Sequence, residues 1–257
     1  MEKIEDDDIL GDELVAGLGT LLDTPEKVSQ TRRFMDMLVG YRELMMMYTC
    51  ALKEVRTKFE VLDTEFRVRY QRNPISSIST RLKHTNSIMT KLDRYGYRFS
   101  LENIEKYIQD AAGIRVICSY IDDIYGIADA LLEQDDITLI TRKDYIVQPK
   151  PNGYRSLHLI VEVPVFFAKF KKSMKVEVQI RTIAMDFWAS LEHQLKYKQN
   201  IPNQQAIVKQ LRECADVISM TDQKMIGIRQ QIEAVSDAPT EEEILLEKLS
   251  RMDMNVG

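Results

Sequence analysis

Histidine, cysteine and tryptophan are scarce here: three, three and one in 257 residues. Cys50, Cys118 and Cys214 are isolated and odd in number. They predict buried thiols in a reducing compartment, not a disulfide framework or a zinc site. None of the histidines, His84, His158 and His193, is followed by aspartate, so a metallophosphohydrolase of the histidine–aspartate type is excluded. The G-x-S-x-G elbow of serine hydrolases is missing, as are the G-x-x-x-x-G-K-[ST] phosphate loop and the dinucleotide glycine fingerprint. No apolar run approaches the roughly 18 residues of a membrane span. The first ten residues, MEKIEDDDIL, are too acidic for a secretory signal, and no carboxy-terminal lipidation box occurs. The expected setting is cytoplasmic, with no membrane partner.

Charge is present and unevenly spread. The net value is −5. Residues 1–26 carry nine acids and one lysine, whereas 66–98 carry eight Lys/Arg and one acid. The acidic total argues against bulk nucleic-acid binding, but the basic stretch suits a small polyphosphate, or is simply a solvated face.

Thr24-Pro25-Glu26 has the character of a helix start. Apolar residues then recur at three- and four-residue spacing: Phe34, Leu38, Tyr41, Met45, Tyr48, Leu52, Val55 and Phe59. One long helix, or two in series, is expected over roughly 26–60, with Met45–Met47 as packing. Strands are expected at 75–83, 113–120, 137–142, 154–163 and 176–182. Helices are expected at about 85–95, 121–134, 183–198 and 203–235, with a final acidic one near 240–252. The fold class is α+β: a mixed sheet of about five strands flanked by helices. The division expected is an acidic extension over 1–24, a main domain over 25–200 and a helical region over 201–257.

Four segments hold the residues capable of chemistry. In RLKHTNSIMTKLDR, Arg81 and Lys83 share a strand face, and Ser87, Lys91 and Arg94 share a helix face. Such a group could meet a triphosphate. In DAAGIRV, Asp110 stands before a strand, where a carboxylate can hold magnesium, and Arg115 lies on it. The stretch RKDYIVQPKPNGYRSLH brings Lys143, Lys150, Tyr154 and His158 around a Pro/Gly loop. Tyr154, Ser156 and His158 are expected on one strand face, able to stack a base and bond phosphate. In VEVQIRT, Glu177, Gln179 and Arg181 alternate with apolar residues; Asp186, Glu192 and His193 follow on a helix. Each residue also has an ordinary reading: an exposed cation, a turn cap, a core histidine, a solvated sheet face.

Together the segments resemble the synthetase domain of the RelA/SpoT family, and in size the small alarmone synthetases. The matching stretches are R-x-K-x-x-x-S-I-x-x-K at 81–91, D-x-A-G-x-R at 110–115, K-D-Y-I-x-x-P-K-x-N-G-Y-x-S-L-H at 143–158 and E-V-Q-I-R-T at 177–182. The resemblance covers roughly 65–200 and implies a nucleotidyltransferase-like synthetase domain. The implied reaction transfers the β,γ-pyrophosphate of ATP to the ribose 3′-hydroxyl of GDP or GTP, giving ppGpp or pppGpp and AMP. It assigns Arg81, Lys83, Ser87, Lys91, Arg94 and Arg115 to ATP, with Arg81 and Lys83 also counted as catalytic. Asp110 and Glu177 become the catalytic carboxylates that hold Mg2+, and Glu177 the candidate for activating the hydroxyl. Lys143, Lys150, Tyr154, His158, Gln179 and Asp186 go to GDP or GTP, with Arg181 in support. Asp186 stands where some relatives have asparagine against the guanine edge. The resemblance also implies a homotetramer, with the flanking helices as interface candidates. Single-stranded RNA, through the basic 66–98 stretch, and (p)ppGpp are the candidate regulators. Two other readings compete. A polymerase-type nucleotidyltransferase would release pyrophosphate, but its G-S…D-x-D pattern is absent. A non-catalytic guanine-nucleotide or RNA-binding module would show no turnover.

Overall fold

The computed structural model describes residues 25–70, 72–196 and 204–235, with Leu245. The acidic stretch 1–24 and, Leu245 apart, the acidic helix expected over 240–252 lie outside the described residues. In chain order the elements are α1 (Pro25–Tyr70), β1 (Ile75–Leu82), α2 (Thr85–Arg94), α3 (Leu101–Tyr107), β2 (Ala112–Cys118), α4 (Ile121–Leu132), β3 (Thr138–Asp144), β4 (Leu157–Phe166), β5 (Lys171–Thr182), α5 (Ile183–Lys196) and α6 (Gln204–Val235). The strands form one mixed sheet in the order β1-β2-β5-β4-β3. Composition explains who sits where. The edge strands ISSISTRL and TLITRKD are polar and largely exposed, which discourages further strand pairing. The central strands alternate buried apolar residues with half-exposed ones, most clearly Val176, Val178 and Ile180 of β5. No helix among the described residues is long and apolar enough to cross a membrane.

Helix α1 is a single helix and runs ten residues past the expected end. Its buried line is Leu44, Tyr48, Ala51, Leu52, Val55, Phe59 and Leu62. Phe34 and Leu38, read as part of that line, are 55% and 41% exposed. The spacing is correct for a helix, but the first turns have nothing among the described residues covering that face. Helix α3 was not expected at all. Seven residues are too few to display a helical period; its start is marked by Ser100, whose hydroxyl accepts from the Asn103 backbone N–H at 3.1 Å.

The chain forms two compact units. Of the described residues, the first comprises those up to Thr57, Thr80–Ile114 and Ile160–Glu177. In it, α2 buries Ile88 and Leu92 completely, worth roughly 1.5–3 kcal/mol each. Tyr41 hydrogen-bonds Thr85 at 2.9 Å, tying α1 to the first residue of α2. Lys172 pairs with Glu105 of α3 at 2.6 Å, and Lys175 donates to the Glu105 carbonyl at 3.3 Å. The second unit comprises, of the described residues, those within Lys58–Ser79, Arg115–Leu159 and from Val178 onward. Here α6 packs Ala215 against Trp188 and Ala189 of α5, and the Trp188 indole donates to the Leu211 carbonyl at 2.9 Å.

Thr182 joins three elements of this second unit. Its hydroxyl accepts from the Met185 N–H at 3.1 Å, capping α5, and donates to Asp222 of α6 at 2.7 Å. Burial raises the Asp222 pKa, and the Thr182 hydrogen bond only partly opposes this. The folded state therefore binds the proton more tightly than the unfolded chain, so Asp222 costs stability as pH rises from the ordinary carboxylate range through its raised value. Asp222→Asn keeps an acceptor for Thr182 and removes the charge. Its expected effect is a higher Tm at pH 7, by about 2 °C or more, with the gain vanishing near pH 3. Thermal unfolding across pH 3–8 checks this; an equal shift at every pH contradicts it.

Candidate active site

In the first unit the site is built by α2 and the turn before β2. The buried face of α2 leaves Ser87, Thr90, Lys91 and Arg94 outward. With Lys83 and Asn86 they line a hollow of about 340 Å³. The helix start adds backbone donors to these cations, a combination suited to phosphate. Lys83 lies one residue beyond β1, but its N–H still bonds the Ala111 carbonyl at 2.9 Å, which fixes its direction. Its ammonium reaches one oxygen of Asp110 at 2.8 Å, and Lys91 reaches the other at 2.8 Å. Burial alone would raise the Asp110 pKa. The hydrogen bonds and charges of the two lysines outweigh it and hold the carboxyl below the usual carboxylate range. Arg81, Ser87 and Arg94 are exposed, and Glu177 is half-buried on β5 between the fully buried Val176 and Val178.

In the second unit a second candidate cluster is built by β4, β5 and the loop between β3 and β4. Tyr154 and Ser156 are not on a strand: β4 begins at Leu157, so His158 alone of the expected trio lies on it. The reason is the turn at Asn152-Gly153. Gly153 has φ 90°, and its N–H bonds the Lys150 carbonyl at 2.8 Å. A Cβ there would stand 2.5 Å from that of Ala215, so glycine also permits the close approach of α6. Asn152 donates to the buried Glu192 at 3.0 Å, holding the loop on α5. His193 is exposed.

The turn still delivers the expected meeting. The Tyr154 hydroxyl lies 2.8 Å from Nε2 of His158. Lys150 stands 4.5 Å from the centroids of both Tyr145 and Tyr154, within cation–π range. Tyr145 meets the His158 ring edge-on at 5.2 Å. Tyr145, in the quoted K-D-Y-I but outside the expected set, thus joins Lys150, Tyr154 and His158 in this cluster. Arg181 is buried and hydrogen-bonds Tyr154, Gln179 and Asp186. Asp186 in turn accepts from Arg115 at 3.2 Å. Lys143, near the end of β3, is exposed.

The first unit thus offers cations beside a carboxylate, chemistry suited to phosphate, and the second offers an aromatic–cation cluster suited to a planar ring. Residues 80–202 match the region found in RelA / SpoT proteins. A GTP pyrophosphokinase of Bacillus subtilis (strain 168), YwaC, is 41% identical over 75% of this chain and 92% of its own length. The chain belongs to the RelA/SpoT family. A second GTP pyrophosphokinase of that strain, YjbM, is 36% identical over 78% of this chain and 90% of its own. Solved RelA/SpoT structures agree with the fold. Small alarmone synthetase 1 from Bacillus subtilis, crystallised with its product pppGpp, superposes with TM-score 0.68 at 34% identity, covering 75% of this chain and 98% of that one. Small alarmone synthetase 2 gives 0.67 at 41%, covering 74% and 98%. As a RelA/SpoT member the chain carries its matched region across both units, from β1 through α5.

Proposed function

We propose that this RelA/SpoT protein is a GTP pyrophosphokinase that moves the β,γ-pyrophosphoryl group of ATP to the 3′-hydroxyl of GDP or GTP, releasing AMP and forming ppGpp or pppGpp. The observation that carries the reading is the ion-paired cluster of Asp110 with Lys83 and Lys91, the two lysines themselves lining the α2 hollow. Two cations and one carboxylate are matched to a polyphosphate and its metal, and a purely structural pair would not need the second lysine.

Arg81, Lys83, Ser87, Lys91 and Arg94 bind the ATP phosphates, and Arg115 lies against adenine. Lys143, Lys150 and His158 hold the acceptor phosphates, Tyr154 stacks on guanine, and Gln179 and Asp186 complete that side. Asp110 and Glu177 are the pair that would hold Mg2+. The described residues bring together no group of three or more metal-ligating acids, histidines or cysteines. Two carboxylates are sufficient for an ion that takes its other oxygens from phosphates and water, so the donor set fits. Bound there, Mg2+ would supply neutralisation of phosphate charge. A triphosphate offers Lys83 and Lys91 new anionic partners, and their turning to it releases the oxygens of Asp110. Glu177 orients the attacking hydroxyl and accepts its proton as the O–P bond forms. A sugar hydroxyl is a far weaker acid than glutamic acid, so proton loss accompanies attack and does not precede it.

The same reading takes 25–200 as the synthetase domain and 201–257 as an oligomerisation region of a cytoplasmic homotetramer. Exposed apolar side chains on α1 (Phe34, Met35, Val39) and on α6 (Val217, Met220, Ile232) support that choice of interface. (p)ppGpp and single-stranded RNA are its candidate regulators. Incubation with Mg2+, ATP labelled at the γ-phosphate and GDP or GTP should place the label in ppGpp or pppGpp and yield AMP in equal amount. Release of pyrophosphate would identify a polymerase-type transferase, and tight binding without turnover a non-catalytic module.

A further inference from the structure

The resemblance places Asp186 against the edge of guanine. The geometry points to a different task, and we propose that Asp186 is a positioning residue: it fixes Arg181, and through Arg181 the ring of Tyr154, instead of reading the base. The inference rests on the acceptor side of the proposed function and adds how that side is held.

Arg181 is the centre of the network. Its side chain is 6% exposed, so its charge needs a counter-charge and its N–H groups need acceptors. Four acceptors surround it: Ser156 Oγ at 3.4 Å, Gln179 Oε1 at 2.7 Å, the Tyr154 hydroxyl oxygen at 2.6 Å and Asp186 Oδ1 at 3.1 Å. Among the described residues Asp186 is the one carboxylate in this set. Its position in the first turn of α5 also favours negative charge. The guanidinium carbon lies 5.1 Å from the Tyr154 ring centroid, so Arg181 grips that tyrosine by both its hydroxyl and its face. Arg115 donates to the same Oδ1 of Asp186. One carboxylate oxygen thus anchors two guanidiniums, one of which sets the aromatic platform for the base.

Asparagine at 186 keeps the size and one acceptor but loses the charge that Arg181 requires. Arg181 is then held less firmly, and the Tyr154 ring with it. A ring that stacks does so with any purine, so the loss must not depend on which purine is offered. Inosine diphosphate separates the two roles, because it lacks the exocyclic amino group of guanine. The measurement is the dissociation constant of GDP and of inosine diphosphate for the full chain. The single tryptophan, Trp188, is a reporter, 6.4 Å from the Tyr154 ring.

Asp186→Asn is expected to weaken both nucleotides about tenfold, with their affinity ratio unchanged within twofold. Arg181→Lys is expected to do the same. The double variant should be no more than about twofold worse than the weaker single variant, since the two residues act in series. Asp186→Glu, which restores the charge, should recover most of the loss; this arm also serves if the asparagine variant does not fold. A loss at least tenfold greater for GDP than for inosine diphosphate would mean that Asp186 reads the base, and would overturn the positioning role while leaving the proposed function intact. Fully additive losses, or affinities within twofold of wild type, would also overturn it. Failure of the wild-type chain to bind either nucleotide would overturn the proposed function itself, and this inference with it.

Discussion

Glu177→Gln should lower kcat for pyrophosphoryl transfer by about 10³, leaving the KM values for ATP and GDP within about fivefold. Glutamine has nearly the same volume, so the packing of β5 between the buried Val176 and Val178 is preserved. What goes is the negative charge, and with it both abilities assigned to the residue. An amide oxygen is a poor ligand beside a carboxylate for a hard divalent ion, and it cannot accept the hydroxyl proton. Both losses fall in the transition state, so kcat carries them. Single-turnover transfer with labelled ATP, alongside thermal unfolding to establish that the variant is folded, is the check. A kcat within tenfold of wild type would remove Glu177 from the reacting centre.

Asp110→Asn should lower kcat about 10²-fold, and excess Mg2+ should recover part of that loss. The same excess should recover less for Glu177→Gln, because Glu177 also handles the proton and metal cannot replace that role. The local electrostatics add a second, independent effect. In the wild type each oxygen of Asp110 accepts from one lysine ammonium at 2.8 Å. Asparagine offers one acceptor and turns an NH2 donor toward the other lysine, while the two ammonium groups lose their common counter-charge. The variant is therefore expected to be less stable at neutral pH. The sign with pH follows from the lowered Asp110 pKa. A carboxyl whose folded pKa lies below its unfolded one contributes stability above the unfolded value, and that contribution is lost as pH falls through the folded value. The gap between wild type and Asp110→Asn in magnesium-free buffer should accordingly be widest near neutrality and close at low pH. A gap that persists undiminished at acid pH would contradict the ion-pair account.

Much of the fold was legible because its cause is local. The alternation in VEVQIRT is a strand with one buried face, and β5 is that strand. Ile88 and Leu92, four residues apart, mark the inner face of α2, and Ser87, Lys91 and Arg94 follow on the outer one. Where expectation and structure part, a distant residue is responsible. Phe34 and Leu38 repeat the helical spacing of the buried α1 residues, but burial depends on what lies opposite. Tyr154 and Ser156 stand two residues apart at the head of a stretch that reads as a strand, yet the Asn152-Gly153 turn, held close to Ala215 of α6, keeps them before β4. Helix α3 was hidden by its brevity.

The sequence by itself determined the chemistry available to this protein. Residue type and spacing supply the cations of α2, the two carboxylates and the loop of lysines and aromatics, because a side chain's donors, acceptors and charge belong to it in any fold. Only the tertiary structure decided how those groups are paired. Asp110 meets Lys83 and Lys91, 27 and 19 residues away in the chain. Arg115 and Arg181 converge on Asp186, across 71 and five residues. Such pairings follow from which strands lie side by side in the sheet and which helix end faces them. Hydrogen bonds and ion pairs act over a few ångströms of space, and spacing along the chain carries no record of that distance.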